Sequence, residues 1–209
     1  MHTVPRTAGI GLLVYGLGTA IGFVGAGAPG GDYEGSLVSG YIATSHFAPA
    51  FAFWYVGALA ALGLLVFGHG LRDLPSVGGF LEGLAIAACA TSVVGVFVSG
   101  GLEVAMAEGG SAVRAGVPHP VIYTITEIGN LLAICSPALF VGVAALVLAR
   151  RSALPRWLRG FCVVAGLCGI LAPFYFTYFV FLLWTVVAGV FLIASRTTRL
   201  AVEPADSLV

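Results

Sequence analysis

Glu127 is the residue whose setting most invites chemistry, because it lies within an apolar stretch spanning residues 121–149. A carboxylate inside such a segment costs about 2.5–3.5 kcal/mol on insertion scales, so it faces a protein interior or water. Tyr123, Glu127 and Asn130 follow at i, i+4 and i+7, one face of a helix, with Thr126 at its border. On the preceding apolar stretch Glu82, Cys89, Ser92, Val96, Ser99 and Glu103 recur at steps of three, four or seven, a second polar stripe. One loop joins the two stretches, so their Glu103 and Glu127 halves are expected to face each other around a polar cavity. His46 and His119 open neighbouring segments at a similar depth. A site of this make-up would titrate a proton or bind a small ligand. Glu127 and Asn130 would form its core, with Glu103, His46 and Tyr123 around them. The competing reading is packing alone, a protonated Glu127 bonded to the next helix and worth about 0.6–2 kcal/mol. For Glu82 and Glu103 an interfacial position is the plainer reading.

Other motifs carry less. His46, His119, Glu103 and Glu127 have metal-binding side chains, but they come from three segments without ligand spacing, so no metal is expected. A haem held by His46 and His69 has still less support, since they sit at opposite ends of one segment. Cys89, Cys135, Cys162 and Cys168 all lie in apolar stretches without a C-x-x-C pair and read as small hydrophobes. Gly25-Ala26-Gly27-Ala28-Pro29-Gly30 spells a dinucleotide fingerprint, but it follows an apolar helix and contains proline. With no nucleophile–base or phosphate-loop motif, the sequence points to no cofactor and leans away from an enzyme.

The elements that must position these groups follow from composition. Of 209 residues 59% are hydrophobic and only 9% charged, with net charge zero; soluble domains carry about 25% charged residues. That excludes a soluble enzyme, a nucleic-acid binder and a disordered chain. The expectation is an all-α, polytopic membrane helix bundle with spans near 8–27, 47–68, 78–101, 121–149, 158–173 and 177–195. Residues 1–200 form one domain and 201–209 a cytoplasmic tail. The uncharged run from Gly160 to Ser195 would be about 54 Å long as one helix, against a hydrocarbon core of about 30 Å. Pro173 supplies a break, which predicts a hairpin around Ala172–Thr177 with short arms, fully spanning or partly re-entrant.

All nine basic residues are arginine. Arg6, Arg72, Arg150, Arg151, Arg156, Arg159, Arg196 and Arg199 fall on one side of the expected spans, and only Arg114 on the other. The positive-inside rule then places both termini in the cytoplasm of a multi-pass plasma-membrane protein. Ala26-Gly27-Ala28 after the first apolar run resembles a signal-peptide cleavage site. That run is longer than the usual 7–15 residues, which favours a retained helix. Gly11, Gly18, Gly22 and Gly25 on the first span, and Ala138, Gly142, Ala145 and Ala149 on the fourth, form small-residue stripes suited to close packing within the bundle or between copies. Aromatics gather at the outer ends, from Phe47 to Tyr55 and from Phe174 to Phe179. They read as an interfacial belt that also admits a lipid-like ligand.

Arg6-Thr7-Ala8-Gly9 running into Leu12-Leu13-Val14-Tyr15, with Ala153-Leu154-Pro155-Arg156-Trp157-Leu158 before a Gly-rich span, resembles small six-helix integral membrane proteins of high-GC bacteria. These are of the domain-of-unknown-function type. The resemblance covers both ends and the length, not the middle, and implies a six-helix fold without any catalytic residue. The functional expectation is therefore a membrane protein that binds or transports a small hydrophobic or cationic ligand through an outer-half polar cavity, in contact with membrane lipids. The alternative is a structural or regulatory subunit, in a homo-oligomer or membrane complex, with no ligand of its own.

Overall fold

Long apolar runs punctuated by Gly and Pro give six α-helices among the described residues: α1 (Arg6–Gly25), α2 (Phe47–Gly70), α3 (Gly79–Glu108), α4 (His119–Ala149), α5 (Arg156–Ile170) and α6 (Phe176–Ala194). The structure, a computed structural model, describes residues 6–25, 47–71, 79–108, 116, 119–150, 154–174 and 176–194. Within the helices a few side chains, those of Glu82, Glu103, Tyr123 and Asn130 among them, lie outside that description. The Ala26-Gly27-Ala28 cleavage motif and His46 lie outside the described residues altogether.

Each helix packs on its neighbours in the chain, and α6 returns to pack on α1, closing a ring. Glycine lets the ring close tightly. A Cβ added at Gly11 would run into the Gly63 carbonyl oxygen and lie 2.8 Å from the Phe67 nitrogen, and one added at Gly63 would meet Gly11 in return. Backbone therefore touches backbone where α1 crosses α2, the use small residues serve where helices gain nothing from ordinary hydrophobic contrast. The glycines of α1, the expected stripe and two others, divide the packing. Gly11 and Gly18 face Gly63 and Ala60 of α2, Gly9 and Gly16 face Gly189 and Thr185 of α6, and Gly22 meets nothing within 4 Å. On α4, Ala138 and Gly142 receive Gly169 and Gly166 of α5 in the same way.

Five large side chains fill the ring. Tyr15, Phe67, Tyr178, Phe181 and Trp184 are all less than 2% exposed. Trp184 stacks on Phe181 (5.9 Å between centroids), meets Phe67 edge-on at 6.4 Å and donates its indole N–H to Cys162 Sγ at 3.3 Å. The outward faces are apolar too, with Ile10, Val14, Leu17 and Ile21 of α1 all exposed. Three helices carry stretches long and apolar enough to cross a membrane, Gly83–Leu102, Glu127–Ala149 and Phe176–Ala194. The chain is thus all-helical among its described residues and built for association with a membrane.

The α5–α6 hairpin turns at Leu171–Phe174, around the proline that the sequence marks as a break. The Leu171 carbonyl accepts from the Phe174 N–H at 3.0 Å and from the Thr177 hydroxyl at 2.6 Å, and a 3-10 turn spans Ala172–Phe174. Pro173 has no N–H to continue a helix ladder there. At 15 residues α5 is about 22 Å long, half the rise of α3 with 30 or α4 with 31. That inequality shapes the site.

Candidate functional site

The polar stripe of α3 is a packing seam. Cys89, Ser92 and Ser99 are at most 1% exposed. Cys89 lies against Gly68 of α2, Ser92 donates to the Ala88 carbonyl one turn back at 2.9 Å, and Ser99 lies against Gly129 of α4. Gly95 similarly receives Ser136, whose buried hydroxyl has no hydrogen-bond partner among the described residues. Glu103 follows Ser99 by one turn of the same helix.

Gly129, Leu132 and Ser136 of α4 meet α3. Glu127 lies about 160° around the helix from Gly129 at 3.6 residues per turn, so it occupies a different face. Its own line runs through Leu131, Ile134 and Ala138. Ala138 is fully buried beneath Gly169 of α5 and Ile134 is 4% exposed, yet Leu131 is 41% exposed and Glu127 half-buried. The cover over this face ends between Ile134 and Leu131. That is where α5 stops and the 3-10 turn, whose Ala172 is fully buried, closes the hairpin. Beyond it α4 continues for about 20 Å.

α1 shows the same change on the other side of the hairpin. Tyr15 is buried and hydrogen-bonds Tyr178 of α6, hydroxyl to hydroxyl, at 3.2 Å. One turn on, Thr19 also bonds Tyr15 and is half-buried, and at Gly22 no described residue lies within 4 Å of an added Cβ. Among the described helices, then, the ring lacks one wall at this end. Among the described residues this leaves a lateral notch between α1 and α4 above the α5–α6 turn. The tyrosine pair floors it, and Glu127 stands on its α4 side. Exposed Phe174, Phe176 and Phe179 rim the turn below.

The sequence expects Glu127 to face Glu103 across the α3–α4 seam; helical phase puts Glu127 on the side of α4 away from Gly129 and Ser136, while the Glu103 side chain lies outside the described residues. Tyr123, Asn130 and Glu103 are carried on α4 and α3 at the same end, with side chains outside the description, and His46 lies outside the described residues. Sequence reasoning passed over the tyrosine pair, whose members are 163 positions apart. A usable signal existed: tyrosine favours membrane interfaces, so one in the middle of an apolar helix needs an internal partner. Among the described residues no group of three or more His, Cys, Asp or Glu comes together to hold a metal ion. All four cysteines are free thiols.

The pair makes a testable link between α1 and α6. Tyr15→Phe removes the buried hydroxyl that bonds Tyr178 and Thr19 and is expected to cost about 0.5–1.5 kcal/mol for each bond lost. The double change to phenylalanine should cost less than the sum of the single ones, by about 0.5–3 kcal/mol in a double-mutant cycle of detergent unfolding. Strict additivity would show that the two hydroxyls do not act together.

Compared with known proteins, the chain matches no family model, no curated protein and no solved structure.

Proposed function

We propose that this chain is a multi-pass plasma-membrane protein with six helices in the bilayer and both termini cytoplasmic, and that it binds a small amphiphilic ligand in the lateral notch. Orientation is supported by the arginines. Arg6 at the start of α1, Arg150 at the end of α4, and Arg156 and Arg159 at the start of α5 lie at one end of the bundle. The notch opens at the other end, on the outer side by the positive-inside rule.

The observation that carries the ligand reading is the loss of cover along one face of α4, which leaves a carboxylate half-buried just above a buried core. An intramembrane acid in such a place suits the cationic or hydrogen-bond-donating head of a molecule whose apolar part lies among Leu131, Phe174 and Phe176. Below the notch the tyrosine–tryptophan core fills the ring, which favours binding at the outer end over passage through the centre. That same filled core favours the second reading, a structural or regulatory subunit in a larger complex.

A lipophilic cation such as tetraphenylphosphonium tests the site on detergent-purified protein. Wild type should bind it, and Glu127→Gln should weaken binding about 10- to 100-fold, the loss of one charge-assisted contact, while the protein stays folded. Equal binding by the two proteins would remove Glu127 from the site. Stoichiometric co-purification with a larger assembly, unaffected by Glu127→Gln, would establish the subunit reading.

A further inference from the structure

Pro137 interrupts α4 from within. It has no N–H to give the Ala133 carbonyl, and its ring crowds that carbonyl, so the helix bends most readily at this point. What grips the helix also changes there. On the inner side, residues 138–149, the grip is backbone on backbone. A Cβ added at Gly169 of α5 would run into the Ala138 carbonyl, and one added at Gly142 would lie 3.2 Å from the Gly166 carbonyl oxygen. Ala138, Val141, Ala144, Ala145 and Leu148 are all fully buried on this side. The 3-10 turn at Ala172–Phe174 packs on α4 as well, just after α5 ends.

On the outer side, residues 119–136, the clamp is gone. Val121, Thr124, Ile128 and Leu131 are exposed. The contact with α3 also loosens with distance from the proline. At Gly95 an added Cβ would run into Ser136, whereas at Gly129 the nearest atoms, in Ser99 and Leu102, lie 3.8–4.0 Å away. A clamped section and a section held on one wall therefore meet at a proline.

We propose that α4 is hinged at Pro137, and that its outer section, with Glu127 on it, swings as a lid that widens and narrows the notch. A bend of about 20° moves Ile128 by about 5 Å and Val121 by about 8 Å. Coupling of the swing to a ligand rests on the notch reading given above. The hinge itself rests on α4 and the helices that hold it.

The test uses the full chain in detergent, with spin labels on p-acetylphenylalanine, which spares the native cysteines, and distances read by double electron–electron resonance. Ile21 on α1 is paired in turn with Leu139, Ile128 and Val121 on α4, all of them exposed. The Leu139 pair should give a narrow distribution. The Ile128 pair should be broader by about 5 Å and the Val121 pair by about 8 Å, a gradient that extrapolates to zero near Pro137. Pro137→Ala, which restores the missing N–H, should bring both broad distributions close to the narrow one. If that variant does not fold, the gradient in wild type still locates the pivot. Tetraphenylphosphonium should narrow both broad distributions to one end of their range. Equal widths at all three positions would overturn the hinge, and so would a gradient that Pro137→Ala leaves unchanged. A gradient lost in Pro137→Ala yet indifferent to tetraphenylphosphonium would support the hinge and count against the ligand reading alone.

Discussion

Gly11→Val is expected to prevent stable closure of the bundle, with a loss of more than about 3 kcal/mol. Overpacking a dense core typically costs about 1–3 kcal/mol when side chains can move aside. Here the atoms in the way are the Gly63 carbonyl oxygen and the Phe67 nitrogen, both backbone. Neither can rotate away, so α1 and α2 must separate along their length. That separation also loosens Ala8 from Gly70 and Gly18 from Ala60. Gly22→Val provides the comparison on the same helix, because nothing lies within 4 Å of its added Cβ. It should fall within about 0.5 kcal/mol of wild type, as surface changes away from special features do. Thermal unfolding and gel-filtration yield in detergent separate the two variants. Equal stability would mean that α1 and α2 do not touch at Gly11.

Trp184→Ala should be nearly as damaging, at about 3–5 kcal/mol, the usual range for removing a buried aromatic side chain. Trp184 is fully buried and forms a continuous aromatic packing with Phe181 and Phe67, so its deletion leaves a void beside two buried rings. Trp184→Phe should recover most of the loss. It keeps a ring in place, and the donor it removes served only a thiol sulfur, a weak acceptor. Denaturant unfolding of the three proteins checks the order. Trp184→Phe as unstable as Trp184→Ala would show that the hydrogen bond to Cys162, not the volume of the ring, holds this layer together.

Hydropathy made the helices legible, because a long run without charge has few other outcomes. Pro173 made the last hairpin legible, because a missing N–H ends a helix wherever it lies. The glycines of α1 were legible as a packing feature but not in their division. A 3.6-residue period shows that Gly11 and Gly18 share a face. It cannot show that Gly9 and Gly16 meet a helix 170 residues later. Glu127 stood out because a carboxylate in an apolar run is costly wherever the run goes. Its orientation could not be read, since it depends on where the short α5 stops against the long α4, a relative height that no local pattern encodes. The tyrosine pair was hidden for a related reason: two hydroxyls meeting across the ring leave no periodic trace in either helix.

The closure of α6 onto α1 also sets an order of events during synthesis. Of the two glycine faces of α1, the one bearing Gly11 and Gly18 finds its partner as soon as α2 is made. The other, bearing Gly9 and Gly16, has to wait for α6. At about 5–20 residues per second, the interval from residue 25 to residue 194 lasts roughly ten to thirty seconds. For that time the nascent protein has an unmatched flank, open to a neighbouring chain, and α6, the last of the described helices, removes it.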